Sequence, residues 1–274
     1  MFWFQSLIGN EILTNDLSKT ELNPTTDFKM GQGTNEKQYI LNITKSLSEL
    51  MIDHVKYLSG LSHWKQYMVW RYTLGSGSIN MNLLGIIKED RVPYWVYLFF
   101  DYYNAKTYGT DNIEKPFDKY KVYFKFPFKY LKHPIEKQLE IAKDILGLYA
   151  ESLIEIIYNS PPTTGDIVVY KSSLPYPGIP TEVGQKDILV KQELFNSTSY
   201  DPQFNYYMFM NPEGSCCAWR ITIPKGSHVL LIGPPFHAYP SEREILLPFG
   251  VSLDVKSTEI MTLNYSKSED PPFI

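Results

Sequence analysis

The sequence is poor in cysteine: it has two, Cys216 and Cys217, and they are neighbours. Adjacent thiols supply neither a disulfide framework nor a metal-ligand spacing, so two buried thiols on a strand are the simpler expectation. The five histidines (His54, His63, His133, His228 and His237) also lack the spacing of a metal site, and no metal is expected. Long apolar runs are missing too. The longest, "VPYWVYLFF", falls far short of the roughly 20 residues of a membrane helix, so no membrane span is expected. The opening "MFWFQSLIGNEIL" has no basic leader and no small-residue cleavage site, and it is not read as a signal peptide. Positive charge is not in excess. A formal net charge of −4 and a pI near 5.8 argue against a protein that coats nucleic acid.

Hydrophobic residues make up 43% of the 274, with charged residues at 20%, which is enough apolar side chain for a large core and unlike a disordered chain. The 21 tyrosines suit a protein with an interface or a small-molecule pocket.

Residues 1–36 are polar and turn-rich, and are expected to form a loosely structured lead-in. From 37 to 70 the pattern is helical, with Ile40, Ile43, Leu47, Leu50 and Met51 at three- and four-residue steps. A second helical stretch contains "WKQYMVWRY" and stops at "LGSGS", and "INMNLLG" starts a third. Residues 85–133 are less regular. Within them Tyr120, Val122, Phe124, Phe126, Phe128 and Tyr130 share one parity, while Lys119, Lys121, Lys125 and Lys129 share the other. That alternation predicts a half-buried strand with a lysine face, a solvated edge strand in preference to a nucleic-acid surface, with Pro127 at an edge or a break. Pro134 opens a long amphipathic helix with Ile135, Leu139, Ala142, Ile145, Leu146, Tyr149, Leu153 and Ile156 on one face, ended by "NSPPTTGD". Beyond Gly165 come short apolar segments separated by turns: "IVVY", "ILVKQELF", "CAWRITI", "HVLLIG", "EILLPFGVSLDV" and "IMTLNY". Helices first and strands second predict an α+β fold without a second domain.

One stretch near the end carries a chemical question. In "YPSEREILLPFG" two glutamates, Glu242 and Glu244, flank Arg243. On a strand both carboxylates would face one side and the arginine the other. A solvated strand end, balanced by Arg243, is the plain explanation.

Four segments in order bring a different one. "VWRYTLGSGSINMNLL" (69–84), "DIVVYKSSL" (166–174), "FNSTSY" (195–200) and "ITIPKGSHVLLI" (221–232), the last followed by "YPSEREILLPFG", resemble the ADP-ribosyltransferase superfamily. The likeness is to its bacterial-toxin type, which has a helix–turn–helix, a Tyr-Arg strand, a Ser-Thr-Ser strand and a Glu-x-Glu motif. The resemblance spans residues 37–265, with 85–133 divergent or inserted and 266–274 left as a tail.

It implies N-terminal helices followed by two packed, mostly antiparallel sheets that form an NAD cleft. It also implies mono-ADP-ribosyl transfer from NAD, as a substrate, to a protein side chain, with release of nicotinamide. Glutamate at position 242 points to arginine as acceptor. By the same resemblance, Glu244 is the catalytic carboxylate and Glu242 faces the incoming guanidinium. Tyr239 recognises the substrate protein, with Phe236 and His237 as further loop candidates; alternatively Tyr239 packs on Pro240. Ser197 braces the cleft and helps position Glu244, with Thr198 and Ser199 in the same NAD-binding motif. Phe204, Tyr206, Tyr207 and Phe209 are candidates to stack on nicotinamide. The usual arginine of the first strand is Lys171 here, which keeps the charge but loses the bidentate fork, so Arg220 is a second candidate for the NAD phosphates. Two other outcomes stay open: an NAD glycohydrolase, or a binding module of this fold without turnover. The expected partners are NAD and a target protein, with no nucleic acid. The expected location is the cytosol of a host or target cell, as for a toxin, an effector or a large-virus product.

Overall fold

The computed structural model describes residues 34–85, 92–105, 112–173, 184–201 and 217–258. Among these, helices come first. Helix α1 (Thr34–Gly60) takes in the last residues of the expected lead-in and buries Leu47, Leu50 and Leu58. Helix α2 (His63–Leu74) begins where the Ser62 hydroxyl accepts the Lys65 N–H, an N-cap that satisfies one orphan donor. It ends at Gly75, where a side chain would be tight: a Cβ would lie 3.3 Å from Trp95 Nε1, which itself donates to the Gly75 carbonyl. Helix α3 (Gly77–Leu83) follows directly, and α4 (Val92–Ala105) packs Val96, Phe99, Phe100 and Tyr103 inward.

The strand predicted across 119–130 is absent. A 3-10 turn (Phe117–Tyr120) leads into two short helices, α5 (Lys121–Lys125) and α6 (Phe128–Leu131). Of the six residues expected on one strand face, Tyr120, Phe124 and Tyr130 are buried while Val122, Phe126 and Phe128 are exposed. The aromatic core decides the matter. The Phe124 ring sits between Trp64, Phe99, Phe100 and Tyr103, with ring centroids 4.8–5.5 Å away at steep angles. A helical turn delivers Tyr120 and Phe124, four residues apart, to that cluster; an extended chain would carry Val122 along with them. Helix α7 (Ile135–Tyr158) then crosses the bundle and buries Ala142, Ile145, Leu146, Tyr149, Leu153 and Ile156, as its pattern predicts, while Ile135 stays exposed.

The second half is strand. β1 (Ile167–Ser173), β3 (Asn196–Ser199), β4 (Cys217–Ile223), β5 (Leu230–Ile232) and β6 (Glu244–Leu247) form an antiparallel sheet in the order β4-β1-β3-β6-β5. β2 (Ile188–Lys191) and β7 (Ser252–Val255) pair in a second, two-stranded sheet. The fold is α+β, helices followed by two antiparallel sheets. "IMTLNY" and the segment from Pro202 to Gly214 lie outside the described residues, and with them Phe204, Tyr206, Tyr207 and Phe209.

Strands β5 and β6 are buried on both faces and do not alternate apolar with polar, whereas on β4 Ile221 and Ile223 are buried while Arg220 and Thr222 are exposed. One face sends Ile167, Val169, Ile245 and Leu247 against Leu47 and Leu50 of α1. The other sends Leu230, Ile232 and Leu246 into the aromatic core of the helices. Glu244 belongs to this second face, opposite Ile232 and two residues before Leu246.

Candidate active site

Pairing register assembles the site. Arg220 lies opposite Tyr170, Tyr170 opposite Ser199, Ser199 opposite Glu244, and Glu244 opposite Ile232. Directly opposed residues share a face, so these five side chains form one row across the whole sheet. Ser197 stands one pair further along the same face, opposite Leu246. Arg220 is exposed at one end of the row, and Glu244 is 4% exposed near the other.

The two glutamates meet, but not by strand alternation. Glu242 ends a short 3-10 turn (Pro240–Glu242), Arg243 adopts a left-handed backbone with φ 49°, and only Glu244 is on β6. That backbone costs a non-glycine residue about 1 kcal/mol or more, so something must hold it. Arg243 donates to the Asp201 carboxylate at 3.1 Å, and its carbonyl accepts the Tyr200 N–H at 3.2 Å. Both anchors come from the residues just after the Ser-Thr-Ser strand.

His237 is the meeting point. Its Nε2 lies 2.8 Å from Glu244 Oε2 and 3.7 Å from Glu242 Oε2. Its Nδ1 accepts the Tyr239 N–H at 2.8 Å, which leaves the ring hydrogen on Nε2 to be donated to Glu244. A buried carboxylate without such a donor would be costly. Burial pushes the Glu242 carboxyl up from its ordinary value; His237 opposes the rise and Glu244 adds to it.

These three side chains are also, among the described residues, the group whose ligand atoms come within 4.8 Å of one another. A metal on Nε2 would need the ring hydrogen moved to Nδ1, where the Tyr239 N–H already points. The donor set as built therefore suits a hydrogen-bonded carboxylate rather than a cation.

Helices α2 and α3 hold the site from behind. The Tyr72 hydroxyl lies 3.4 Å from Ser197 Oγ, and its ring meets Phe195 edge-on at 5.8 Å. Burial, followed by the nearby Glu244 charge, pushes the Tyr72 phenol far up, so it stays protonated as a donor. Thr73 Oγ1 accepts the Ala238 N–H at 2.8 Å, tying the loop before Glu242 to the end of α2. Asn80 brackets the start of β3, its amide reaching the Phe195 carbonyl at 3.5 Å and its oxygen accepting the Phe195 N–H at 3.3 Å.

Other expected site residues are placed differently. Thr198 faces the opposite side of the sheet and donates to the Ile245 carbonyl at 2.6 Å. Ser199 accepts the Asp201 N–H, which shapes the turn that holds Arg243. Tyr239 is 40% exposed beside Glu242, open to a partner. Lys171 is not brought to the row: it lies on the Thr198 face, where its ammonium bonds Asn196 Oδ1 and burial lowers its pKa from 10.5 to about 8. Tyr72 and Asn80 are the tyrosine and the asparagine of "IN" in "VWRYTLGSGSINMNLL", the first of the four resembling segments. Thr73 and the role of His237 carry no signal in the sequence, since neither has a spacing of its own.

No protein-family model matches the sequence, and no curated protein matches it. Solved structures of similar course include C3stau2 from S. aureus with NAD, at 15% identity and a TM-score of 0.47, covering 81% of this chain and 89% of that one. Another is the Vis toxin, an ADP-ribosyltransferase from Vibrio splendidus, at 11% identity and TM-score 0.45, covering 85% and 84%. A third is Plx2a, an ADP-ribosyltransferase toxin from Paenibacillus larvae, at 13% identity and TM-score 0.44, covering 76% and 84%.

Proposed function

We propose that the protein is a mono-ADP-ribosyltransferase that moves ADP-ribose from NAD to an arginine of a target protein. The carrying observation is the pair of carboxylates, Glu244 buried and Glu242 half-buried, gathered on one histidine at the end of the Arg220–Tyr170–Ser199–Glu244 row.

The reaction explains why two acids are wanted. The bond from ribose C1′ to nicotinamide breaks, its electron pair leaves with nicotinamide, and positive charge develops on the ribose. Glu244, held by His237, places a fixed negative charge beside that ribose, as carboxylates do in glycoside hydrolysis. A guanidinium is protonated and a poor nucleophile until a carboxylate orients it. Glu242, beside the exposed Tyr239, takes the guanidinium proton as the nitrogen lone pair bonds to C1′. Its raised pKa makes it a stronger base than an ordinary carboxylate.

NAD fits the row by charge order. Arg220 stands three strand spacings from Glu244, about 14 Å, with a long side chain to reach back toward a diphosphate. In this reading the phosphate role falls to Arg220, not to Lys171. Ser197 and Tyr72 hold the floor of the cleft between them.

Purified protein with labelled NAD and an arginine-bearing acceptor tests the reading. Label should reach the acceptor, vanish in Glu244→Ala, and be lost in Glu242→Gln while nicotinamide release continues. Undiminished transfer in Glu244→Ala would sink the assignment. NAD consumed by the wild type with no labelled acceptor would make it a glycohydrolase. One observation favours a module without turnover: Lys171, at the family's arginine position, is spent on Asn196. Absence of NAD binding by calorimetry would decide for it.

A further inference from the structure

The segment whose alternation predicts a strand has an exposed corner of unusual composition. From Lys115 to Lys132 there are six lysines and one carboxylate, in a chain whose net charge is −4. At the corner Phe126 is 37% exposed and Phe128 50%, their rings 6.1 Å apart across Pro127. Leu131, three residues on and so on the same side of α6, is 45% exposed. Three lysines crowd these rings: the Lys129 ammonium lies 4.6 Å and that of Lys125 5.5 Å from the Phe126 centroid, and Lys132 5.2 Å from Phe128. Each therefore holds its ammonium over an exposed ring. None of the ion pairs among the described residues uses them, although Lys119 and Lys121 nearby are paired with Asp144 and Asp118.

We propose that the Phe126–Pro127–Phe128 corner, with Leu131 and these three lysines, seats the protein on an anionic lipid surface. Aromatic rings settle at the headgroup level of a bilayer, and lysines beside them extend their charge to lipid phosphates and carboxylates. Lysines outside ion pairs and close to an anionic leaflet add attraction that falls off within a Debye length. A single-stranded nucleic acid fits less well. Its bases need open ring faces, which the ammoniums here already cover, and it gains nothing from an exposed leucine. The overall negative charge means that any attraction to an anionic membrane has to be local.

Sedimentation of the full chain with vesicles tests this, using phosphatidylcholine alone or with about a quarter phosphatidylserine. The protein should pellet with the anionic vesicles only. Lys125→Gln, Lys129→Gln and Lys132→Gln together should weaken that binding about a hundredfold, at about fivefold per lysine. Phe128→Trp, compared with wild type, should gain a blue-shifted emission component on anionic vesicles. The substituted residues are exposed, so the far-UV spectrum should not change. Equal pelleting with both vesicles, or binding untouched in the triple variant, would overturn the proposal. An emission difference between Phe128→Trp and wild type that does not move on anionic vesicles would do the same. So would tight capture of a single-stranded oligonucleotide that the triple variant abolishes, which would assign the corner to nucleic acid.

Discussion

Nε2 of His237 lies 2.8 Å from Glu244 Oε2, and the other ring nitrogen accepts the Tyr239 N–H at the same distance. One imidazole thus joins the buried carboxylate to the loop that carries Tyr239 and Glu242. A hydrogen bond to a charged group is worth about 1.5–3 kcal/mol. His237→Leu should therefore lower turnover by about 10–100-fold with little change in KM for NAD. His237→Gln, which keeps a donor of similar reach, should recover most of it. Steady-state nicotinamide release in the three proteins measures both numbers. A fall in His237→Leu matched by His237→Gln would mean that the ring matters for packing rather than for its donor.

Glu242 gives a pH signature. Only its ionised form can take the guanidinium proton, and burial raises its pKa above the ordinary carboxylate value. As pH falls, Glu242 should gain its proton early, and arginine transfer should decline at a pH where ordinary carboxylates are still ionised. Nicotinamide release by Glu242→Gln should show no decline at that point. Paired pH profiles of transfer and release separate the two.

Much of the candidate site is legible in the sequence because the segments that carry it touch. Tyr72 reaches Ser197, Asn80 grips the backbone of Phe195, and Ser199 pairs with Glu244, so segments far apart in sequence have to occur together. The meeting of Glu242 and Glu244 has a different cause from the strand alternation that suggests it. A left-handed Arg243, held by Asp201, turns the chain between them, and no local pattern announces such a turn. Lys171 departs from its expected place because one-residue register decides which face it takes, and register is set by partner strands. The 119–130 segment departs from its pattern because two-residue alternation is a weak guide where large aromatics pack from all sides.

That aromatic packing has a measurable weight. Phe124 is fully buried among Trp64, Phe99, Phe100 and Tyr103. Phe124→Ala should cost about 3–5 kcal/mol of folding stability. Val122→Ala, on an exposed position of the same helix, should cost well under about 1 kcal/mol. Urea unfolding followed by circular dichroism compares them. Similar costs for both would favour the half-buried strand after all.

The assignment of the NAD phosphates turns on which cation shares a face with Glu244. Arg220 does, through Tyr170 and Ser199; Lys171 does not. Losing a charge-assisted pair costs about 1.5–3 kcal/mol, so Arg220→Ala should raise the Kd for NAD about 10–100-fold. Lys171→Met should change it by less than about threefold. A binding profile against pH adds an independent reading, because Lys171 loses its proton near pH 8. If Arg220 holds the phosphates, NAD affinity should stay flat through pH 8; if Lys171 does, affinity should drop there and Lys171→Arg should abolish the drop. Folding responds to the same group: Lys171 binds fewer protons folded than unfolded between about 8 and 10.5, so its unfavourable burial is relieved as pH rises through that window.

Thr73 is the test of whether the loop before Glu242 can be loosened without touching Glu244. Its hydroxyl donates to the Trp70 carbonyl and accepts the Ala238 N–H, both at 2.8 Å, so one side chain closes the helix end and anchors the loop. Thr73→Val keeps the shape and removes both bonds, leaving a part-buried N–H unmet at a cost of about 1–3 kcal/mol. The loop carries His237, Tyr239 and Glu242; the backbone of Glu244 is fixed separately, by its place on β6 between Ser199 and Ile232, and only its carboxylate reaches the loop, through His237. Disorder should therefore reach acceptor capture first. Thr73→Val is expected to raise KM for a protein acceptor severalfold while NAD hydrolysis changes less, a split that saturation curves for each substrate resolve. An equal loss in both would mean that the loop also holds Glu244 in place, with His237 as the connecting side chain.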